Sequence, residues 1–305
     1  MSDILEEFEL FYGAPLSVIS NCLRSFLIAS PGKDLLAADF SAIEARVLAW
    51  LSGQKDTLEV FRGDGKIYEH AASLIYQIPI NEVSKAQRQI GKVATLALGY
   101  QGGTKAFQKM GYNYGLDIDD REAFKIKEAW RNRNPYIVRL WSELQGAAWY
   151  AIQREGKVFK AGTHGIKILF RKVGPHLYML LPSGRALCYP FAKLDRMPPP
   201  YDPLKVQITY KGTVNKKWVK IATYGGKLCE NATQAVARDL LAEAMLRLEE
   251  RGYPIVMHVH DEVVCEVPED FGSVRELTEV MSELPKWAEG LPISAEGWRS
   301  KRYQK

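Results

Sequence analysis

The stretch LLAADFSAIEARVLAWL, Leu35 to Leu51, decides the fold because an apolar run ends on an acidic residue and a helical pattern follows at once. The apolar residues 35–38 predict a short buried strand. Ser41 followed by Glu44 matches a capping box, so we expect a helix to begin directly behind Asp39. A carboxylate at the end of a core strand is costly unless it is solvated, paired or bound to metal. Asp39 is therefore a candidate functional residue.

A second stretch, IVMHVHDEVVCEV at 255–267, consists of two β-rich runs separated by a polar His-Asp-Glu trio. It predicts a hairpin with Asp261 and Glu262 at its tip. If the two predicted strands are neighbours in one sheet, Asp39 and Asp261 converge as paired carboxylates. Two hard oxygen ligands suit Mg²⁺, which keeps several waters and completes its shell with substrate phosphates. The alternative for Asp261 is an ordinary turn aspartate, which is common at hairpin tips.

Three segments together resemble the motifs of the family A (DNA polymerase I-like) DNA polymerases. DFSAIEAR at 39–46 resembles motif A, RQIGKVATLALGYQGG at 88–103 resembles motif B on the fingers helix, and VHDE at 259–262 resembles motif C. Their order and spacing fit the family, and the resemblance covers the chain from about Leu16 onward. The amino-acid sequences of the motifs most resemble those of phage-encoded members.

The resemblance implies an α+β fold, a polymerase palm with an antiparallel sheet and a helical fingers insertion. We expect residues 1–61 to form the first part of the palm with motif A, and residues 62–155 to form the fingers with motif B. Residues 156–305 would then form the second part of the palm, with a basic β-rich segment and motif C. The family's thumb and its proofreading-type exonuclease are expected to be missing, because too little chain precedes motif A.

The composition is typical of a globular protein, with 47% hydrophobic and 25% charged residues among 305. No apolar run is long enough to span a bilayer and the N-terminus lacks a signal-peptide pattern, so we expect no membrane partner and a cytoplasmic location in a bacterial or phage-infected cell. The four cysteines have no paired spacing. Neither a zinc site nor a disulfide framework is indicated, and buried free thiols are expected.

The net charge of +5 is unevenly distributed. Fourteen Lys and Arg residues lie between Lys157 and Lys227 against two acids, Asp195 and Asp202, so this segment carries about +12 and the rest of the chain about −7. Such a segment is typical of nucleic-acid-binding proteins, although a solvated sheet face is the alternative. Beside the three motifs, the charge favours contacts with a phosphate backbone.

The remaining pattern predicts helices at 81–99, 119–132, 136–154, 230–251 and 271–284. Phe124 and Trp130 are core candidates in the second of these. Short β-like runs are expected at 22–29, 167–170, 177–181, 204–210, 218–224 and 293–298, with a loop at 198–200.

Four residues on the motif B segment follow one another at steps of four and so form a slowly winding stripe on one helix: Arg88, Lys92, Leu96 and Tyr100. Two cations followed by an aromatic ring would suit a triphosphate and a base, whereas a solvated helix face is the alternative for the cations. The resemblance implies that Arg88 and Lys92 hold the phosphates of the incoming nucleotide and offset the charge of the leaving pyrophosphate. Tyr100 matches the tyrosine that stacks near the templating position.

For the metal site, the resemblance implies Asp39, Asp261 and the backbone carbonyl of Phe40 as ligands of two Mg²⁺ ions, with Mn²⁺ as a substitute. Glu262 is expected near the metals without being a constant ligand. His260 is expected to position the sugar and phosphate at the primer terminus.

Glu44 has two competing interpretations. As the third residue of a capping box it would stabilise the helix start, whereas the resemblance implies a steric gate that excludes a ribose 2′-hydroxyl. For contacts with DNA, the resemblance implies Gln234 as a minor-groove glutamine. Arg238 and Asn231 are expected on the same helix, and Lys227 at the end of the basic segment is also assigned to DNA binding. Arg46 matches the arginine that closes motif A and is expected to form a structural ion pair.

The sequence departs from the family pattern at five positions. Leu96 stands where members carry Phe or Tyr, Tyr68 where many carry a phosphate-contacting His, and Glu230 where an Asn is frequent. Ala42 replaces the usual Gln of motif A, and Gln101 replaces the Gly after the motif B tyrosine. None of these changes removes an expected metal ligand.

The sequence therefore predicts a DNA-directed DNA polymerase, a nucleotidyltransferase of DNA replication that acts on primer–template DNA and dNTPs. One alternative is the palm–fingers subunit of a split polymerase that is inactive without a separately encoded partner carrying the thumb and exonuclease. Another is a non-catalytic nucleic-acid-binding remnant, against which the intact metal ligands and motif B cations argue. An RNA polymerase of related fold is disfavoured by Glu44, because a gate is needed only to exclude ribonucleotides.

Overall fold

The computed structural model describes residues 2–197 and 205–304, so the loop predicted at 198–200 lies outside the described residues. The helices are α1 (Ser2–Tyr12), α2 (Pro15–Cys22), α3 (Ile43–Ser52), α4 (Lys55–Arg62), α5 (Ile67–Tyr76), α6 (Lys85–Leu98), α7 (Thr104–Asn113), α8 (Asp120–Arg133), α9 (Pro135–Gln153), α10 (Gly225–Glu250) and α11 (Val274–Met281). The strands are β1 (Lys33–Phe40), β2 (Val158–Ala161), β3 (Ile168–Val173), β4 (His176–Leu180), β5 (Ala186–Tyr189), β6 (Lys193–Arg196), β7 (Val206–Val214), β8 (Lys217–Thr223), β9 (Ile255–Val259), β10 (Glu262–Pro268) and β11 (Ala295–Ser300). The predicted α+β class, helices with antiparallel sheets, is confirmed.

Residue contacts divide the chain into two compact units. Unit 1 comprises residues 1–41, 240–283 and 294–305, and unit 2 comprises residues 42–239 and 284–293. The division into palm and fingers at residues 61 and 155 stays a prediction. In the described part of the chain, no helix has both the length and the apolar character needed to cross a bilayer.

Unit 1 is built around a four-stranded antiparallel sheet in the order β11-β1-β10-β9. The run 35–38 of β1 is buried throughout, because β1 lies inside the sheet and α11 packs against it. An interior strand covered on both faces needs apolar side chains at successive positions, which explains the continuous apolar run. The predicted strand at 35–38 and the predicted hairpin at 255–267 are both confirmed, but Glu262 is the first residue of β10 and only Asp261 lies in the turn.

Unit 2 contains α3 to α9, the first part of α10 and two antiparallel sheets, ordered β2-β3-β4-β5 and β6-β7-β8. Helix α9 packs on β2 and β3, and α5 packs on α6. The rings of Trp130 and Trp141 stack with centroids 6.3 Å apart. The indole of Trp141 donates a 2.9 Å hydrogen bond to the carbonyl of Gly99, so α9 is joined to the residue that follows α6.

The packing of α5 against α6 depends on a glycine. A Cβ built on Gly91 would lie 2.2 Å from the carbonyl oxygen of Tyr68, which is backbone and cannot swing aside. Only a residue without a side chain lets the two helices approach this closely. The close approach fixes Tyr68 beside the part of α6 that carries the predicted nucleotide-binding cations.

The capping box expected at Ser41 and Glu44 is wrong. Helix α3 begins at Ile43, its N-cap is Ala42 in the left-handed region with φ 48°, and no side chain caps it. The backbone N–H of Ser41 instead donates to the carbonyl of Ser294. A capping box does occur at the start of α6, where the side chains of Ser84 and Gln87 each accept a hydrogen bond from the other residue's backbone N–H. The sequence SKAQ at 84–87 matches this motif and was not among the predicted helix starts.

Three further expectations about packing are wrong. The run 22–29 is not a strand, because α2 extends to Cys22 and a single 3₁₀ turn, Arg24–Phe26, follows it. Phe124 is not a core residue, since 54% of its surface is exposed. All four cysteines are free as expected, but Cys22 and Cys188 are exposed, and only Cys229 and Cys265 are buried.

Candidate active site

The acidic residues of unit 1 meet where β1 ends and β10 begins. Asp39 lies opposite Glu262 in the register of the two strands. The next residue, Phe40, donates its backbone N–H to the carbonyl oxygen of Asp261 at 3.2 Å. Because the register is set by seven consecutive residue pairs from Lys33 to Asp39, the positions of Asp39 and Asp261 follow from the backbone itself.

The turn between β9 and β10 has two residues, His260 and Asp261, and His260 adopts a left-handed backbone with φ 57°. The side chain of Asp261 is 22% exposed, and its Oδ1 lies 3.1 Å from Nδ1 of the exposed His260. Asp39 is partly buried at the end of β1. Solvent therefore reaches both aspartates, whereas residues 35–38 of β1 and 262–265 of β10 behind them are buried.

Glu262 lies in a different environment from the two aspartates. Only 1% of its surface is exposed, and the hydroxyl of Tyr303 donates a 3.0 Å hydrogen bond to its Oε2. Sequence reasoning missed Tyr303, which is 41 residues away along the chain and belongs to no recognisable motif. One carboxylate oxygen of Glu262 is thus engaged inside unit 1.

The donor set of unit 1 fits a hard divalent cation. Asp39 and Asp261 supply two partly exposed carboxylates, and the backbone carbonyl of Phe40 is a third oxygen on the same strand end. No group of three or more His, Cys, Asp and Glu residues with metal-binding arrangement occurs among the described residues. A site with two carboxylates and open positions suits Mg²⁺ completed by water and substrate phosphates, rather than an ion enclosed by protein ligands alone.

The cations predicted to bind phosphates lie in unit 2 on α6. Nε of Arg88 is 2.7 Å from Oε1 of Glu69, and its guanidinium lies 5.4 Å from the ring centroid of Tyr68. Nζ of Lys92 lies 5.2 Å from the ring centroid of Tyr114. A guanidinium has five N–H donors in all, so the contact with Glu69 leaves the terminal nitrogens of Arg88 for a ligand. The sequence gave no signal for Glu69 or Tyr114 as partners.

Glu44 and Tyr100 form a pair in unit 2. The hydroxyl of Tyr100 donates to Oε2 of Glu44 at 3.2 Å. Burial raises the pKa of Tyr100 well above its usual value of 10.0, and the nearby carboxylate of Glu44 raises it further. The hydroxyl therefore stays protonated and remains a donor. The Glu44 side chain is engaged with Tyr100 and does not cap α3.

Tyr68 connects the two parts of this cluster. Burial raises the pKa of Tyr68, the positive charge of Arg88 opposes that effect, and Tyr114 and Glu44 add to it. The carboxylate of Glu44 therefore acts on both Tyr68 and Tyr100. Unit 2 thus gathers two acidic, two cationic and three phenolic side chains around α6, while Leu96 lies partly buried on the same helix.

Helix α10 carries the residues predicted to contact DNA. Its first two N–H groups, on Gly225 and Gly226, donate to the side-chain oxygens of Gln145 at 3.1 Å and Gln101 at 2.9 Å. Gln101, which departs from the family's glycine, has φ 65° and serves here as a helix cap. This role explains why an amide side chain is accommodated at a left-handed position.

Further along α10, the residues predicted to contact DNA differ in their exposure and in their contacts with other side chains. Lys227 is ion-paired with Glu230 at 2.9 Å, and the side chain of Asn231 donates to the hydroxyl of Tyr189 at 3.0 Å. Arg238 is exposed and Gln234 is partly buried. Arg46 is buried; its guanidinium lies 4.4 Å from the ring centroid of Phe61 and donates to the carbonyl of Pro292 at 3.0 Å.

The chain is similar to known polymerases. Residues 17–149 match the model of DNA polymerase family A. The DNA polymerase of Bacillus phage SP02 is 42% identical over 98% of this chain and 46% of the relative, and DNA polymerase I of Pseudomonas aeruginosa is 26% identical over 81% of this chain and 22% of the relative. This chain therefore spans less than half the length of these curated relatives.

A solved structure, described as the POL domain of Pol1 from M. smegmatis in complex with DNA primer-template and dNTP, superposes with a TM-score of 0.59. The match covers 92% of this chain and 42% of that chain, at 18% sequence identity. At this level of identity the likeness concerns the fold alone.

Proposed function

This chain belongs to DNA polymerase family A, and on that premise we propose that it catalyses template-directed DNA synthesis by transferring nucleotides from dNTPs to a primer 3′-hydroxyl. The observation that carries the proposal is the placement of Asp39 and Asp261 at adjoining ends of β1 and β10 in unit 1. Two solvent-accessible carboxylates fixed by strand register are the metal-binding part of a nucleotidyl-transfer site.

In the proposed reaction, the primer 3′-hydroxyl loses its proton to solvent and its oxygen forms a bond to the α-phosphorus, the bond from that phosphorus to the bridging oxygen breaks, and pyrophosphate leaves. Asp39, Asp261 and the carbonyl of Phe40 would hold two Mg²⁺ or Mn²⁺ ions. When bound, such ions lower the pKa of the attacking hydroxyl and neutralise developing negative charge. Glu262, anchored by Tyr303, keeps the start of β10 in register behind Asp261.

Unit 2 would supply the groups that bind the triphosphate. Arg88 presents a planar fork that can bond two phosphate oxygens at once, and Lys92 adds a point charge. Glu69 holds Nε of Arg88, and Tyr68 lies under its guanidinium, so the fork is oriented before the ligand arrives. Such preorganised charge is the main source of catalysis in phosphoryl and nucleotidyl transfer.

We assign selection of the sugar to Glu44, with Tyr100 as the residue that orients it. The hydrogen bond from Tyr100 fixes one carboxylate oxygen of Glu44, and a fixed carboxylate can exclude a ribose 2′-hydroxyl by position and charge. Leu96, beside Lys92 on α6, would contact the same nucleotide.

On α10, Gln234 and Arg238 would contact DNA. His260 in unit 1 would also contact DNA, and Lys227 would do so after giving up its ion pair with Glu230.

Primer extension tests the proposal. Purified chain is incubated with a primed template, Mg²⁺ and dNTPs beside the variants Asp39→Ala and Asp261→Ala. We expect each variant to lose extension by more than about 10³-fold, because a lost metal ligand removes charge stabilisation from the reacting centre. The matched control is Asp34→Ala, which removes a carboxylate at the other end of β1. Equal extension by wild type and both site variants would refute the proposal.

A second candidate function is that of a polymerase subunit which needs a thumb-bearing polypeptide. It is favoured by exposed apolar residues recurring at helical spacing: Ile4 and Phe11 on α1, Leu16 and Ile19 on α2, and Leu23 directly after α2. Such stripes are typical of helices that lie in a groove of a partner. In the same experiment, wild-type chain that binds primer–template but does not extend it would support this candidate over a self-sufficient enzyme.

A further inference from the structure

The β7–β8 hairpin, residues 206–223, is strongly basic. It carries four lysines and no acidic residue, and both of its strands are exposed along their distal halves. The lysines are Lys211, Lys216, Lys217 and Lys220. None of the motifs discussed above includes this hairpin.

One face of the hairpin combines charge with an aromatic ring. Lys211 lies opposite Lys220, and Thr213 lies opposite Trp218, so these four side chains project to the same side. The side chain of Trp218 is 54% exposed. Tryptophan is normally buried to a large extent, so this indole presents an unusual apolar surface to solvent beside the lysines.

The charges on this face are only partly balanced. Lysines directly opposite each other in a β-pair repel one another. Lys220 is paired with Asp195 at 3.3 Å, but the same carboxylate also pairs with Lys193 at 3.1 Å. Nζ of Lys211 lies 5.5 Å from the ring centroid of Phe191. One carboxylate among three lysines leaves net positive charge beside the indole.

The tip of the hairpin adds further charge. Asn215 and Lys216 both have positive φ, 49° and 63°, which is the two-residue turn that favours glycine at its second position. A lysine is less stable than glycine in this left-handed backbone. The turn therefore carries its charge at a conformational cost, one residue before Lys217 and two before Trp218.

From this arrangement we propose that the β7–β8 hairpin binds unpaired nucleotides of DNA, with Trp218 stacked on a base and with Lys211 on the same face and Lys216 at the turn on the flanking phosphates. An exposed indole flanked by cations is the combination with which proteins bind single strands, because every unpaired base offers a face for stacking. In a duplex those faces are covered by neighbouring bases. The inference rests on the proposed function only in taking DNA as the ligand.

The test measures binding of the full chain, without metal or dNTPs, to a fluorescent oligothymidylate and to a blunt duplex of equal length. We expect Trp218→Ala to weaken single-strand binding by about 5- to 100-fold, with Trp218→Phe retaining part of it. Duplex binding should change less than about 2-fold. The matched control is Phe124→Ala, which removes an aromatic ring of the same 54% exposure from α8 and should leave both affinities unchanged.

A second arm measures the contribution of the lysines. The double variant Lys211→Ala/Lys216→Ala should reduce the slope of log K against log salt for the single strand by about 1.4, which is about 0.7 for each lost phosphate contact. Lys55→Ala/Lys125→Ala removes the same charge from exposed helix positions and serves as its control. An unchanged slope would overturn the role of the lysines.

Two outcomes would overturn the inference as a whole. One is single-strand affinity unaffected by Trp218→Ala. The other is an equal loss for single strand and duplex, which would make the hairpin a general phosphate contact. If only the proposed function is wrong, the wild type will not extend a primer, but its binding to the oligonucleotide will still depend on Trp218.

Discussion

The acidic side chains where β1 ends and β10 begins in unit 1 and the cationic side chains of α6 in unit 2 are held in place in opposite ways. Asp39 and Asp261 are placed by the backbone, through the antiparallel register and the hydrogen bond from Phe40 to Asp261. Arg88 and Lys92 are placed by other side chains, chiefly Glu69, Tyr68 and Tyr114.

The difference indicates what each region can tolerate. A residue fixed by strand register cannot move without moving the sheet, so its side-chain length determines where the carboxylate lies. Long side chains on a helix surface are oriented by an ion pair and ring contacts, which yield more easily than a sheet when the head group changes. Position should therefore limit activity in unit 1, whereas charge should limit it in unit 2.

Conservative exchanges test this comparison most strongly. Asp39→Glu keeps the charge but adds a methylene group, and we expect extension to fall by about 10²-fold, the typical cost of a misplacement of about 1 Å. Lys92→Arg also keeps the charge with a different head group, and we expect a loss of less than about 10-fold. Steady-state kcat/KM for dNTP in primer extension measures both.

Equal losses of kcat/KM in Asp39→Glu and Lys92→Arg would contradict the proposed difference between the two regions. Comparable losses would mean that α6 is as rigidly defined as the strand end, or that the sheet yields to a longer side chain. Thermal melting of each variant separates these results from loss of folding.

Much of this architecture is predictable from local sequence. The apolar run at 35–38, the hairpin around Asp261 and the helices of α8, α9 and α10 follow from hydrophobic period and turn residues, and the structure confirms them. The helices and the hairpin are determined by residues that are close together in the chain, and the strand is determined by burial of both its faces. The convergence of Asp39 and Asp261 follows from the sequence only on the condition that the two predicted strands are neighbours, and the structure pairs β1 with β10 across more than 200 residues.

The site's supporting residues were not predictable in this way. Tyr303 reaches Glu262, Glu69 reaches Arg88, and Tyr189 reaches Asn231, and each contact depends on tertiary packing that no local pattern records. The capping box at Glu44 failed for the same reason. A tertiary partner, Tyr100, engages the carboxylate, and Ala42 turns left-handed before the helix begins.

A glycine exchange gives the next largest effect and tests the packing behind the cation face. Gly91→Ala places a Cβ 2.2 Å from the Tyr68 carbonyl, and we expect the free energy of unfolding to fall by about 1–3 kcal/mol as α5 and α6 separate. Gly146→Ala on α9 is the matched control, since nothing lies within 4 Å of its Cβ. There alanine should stabilise the helix by up to about 1 kcal/mol.

Urea unfolding at equilibrium measures both variants. A Gly91→Ala chain as stable as the wild type would show that α5 can shift freely, and Tyr68 would then not be a fixed neighbour of Arg88. Unchanged stability combined with an increased KM for dNTP would place the effect on nucleotide binding alone.

The smallest effect concerns the two buried thiols, one in each unit. Burial raises the pKa of Cys229 in unit 2 and of Cys265 in unit 1 from 9.0 to about 12. Between these values an unfolded chain releases protons that the folded chain retains, so the stability present below pH 9 is lost as the pH rises toward 12. Each thiol should contribute a slope of up to about 1.4 kcal/mol per pH unit.

Urea unfolding from pH 8 to pH 10 measures that slope before tyrosine ionisation dominates. Cys229→Ala and Cys265→Ala should each flatten it, whereas Cys188→Ala removes an exposed thiol and should leave it unchanged. If unfolding is a single transition, both variants flatten the same curve, because one cooperative event exposes both thiols. If two transitions are seen, each variant should alter only the transition of its own unit. The register-fixed acidic end and the side-chain-held cation face would then have separately measurable stabilities.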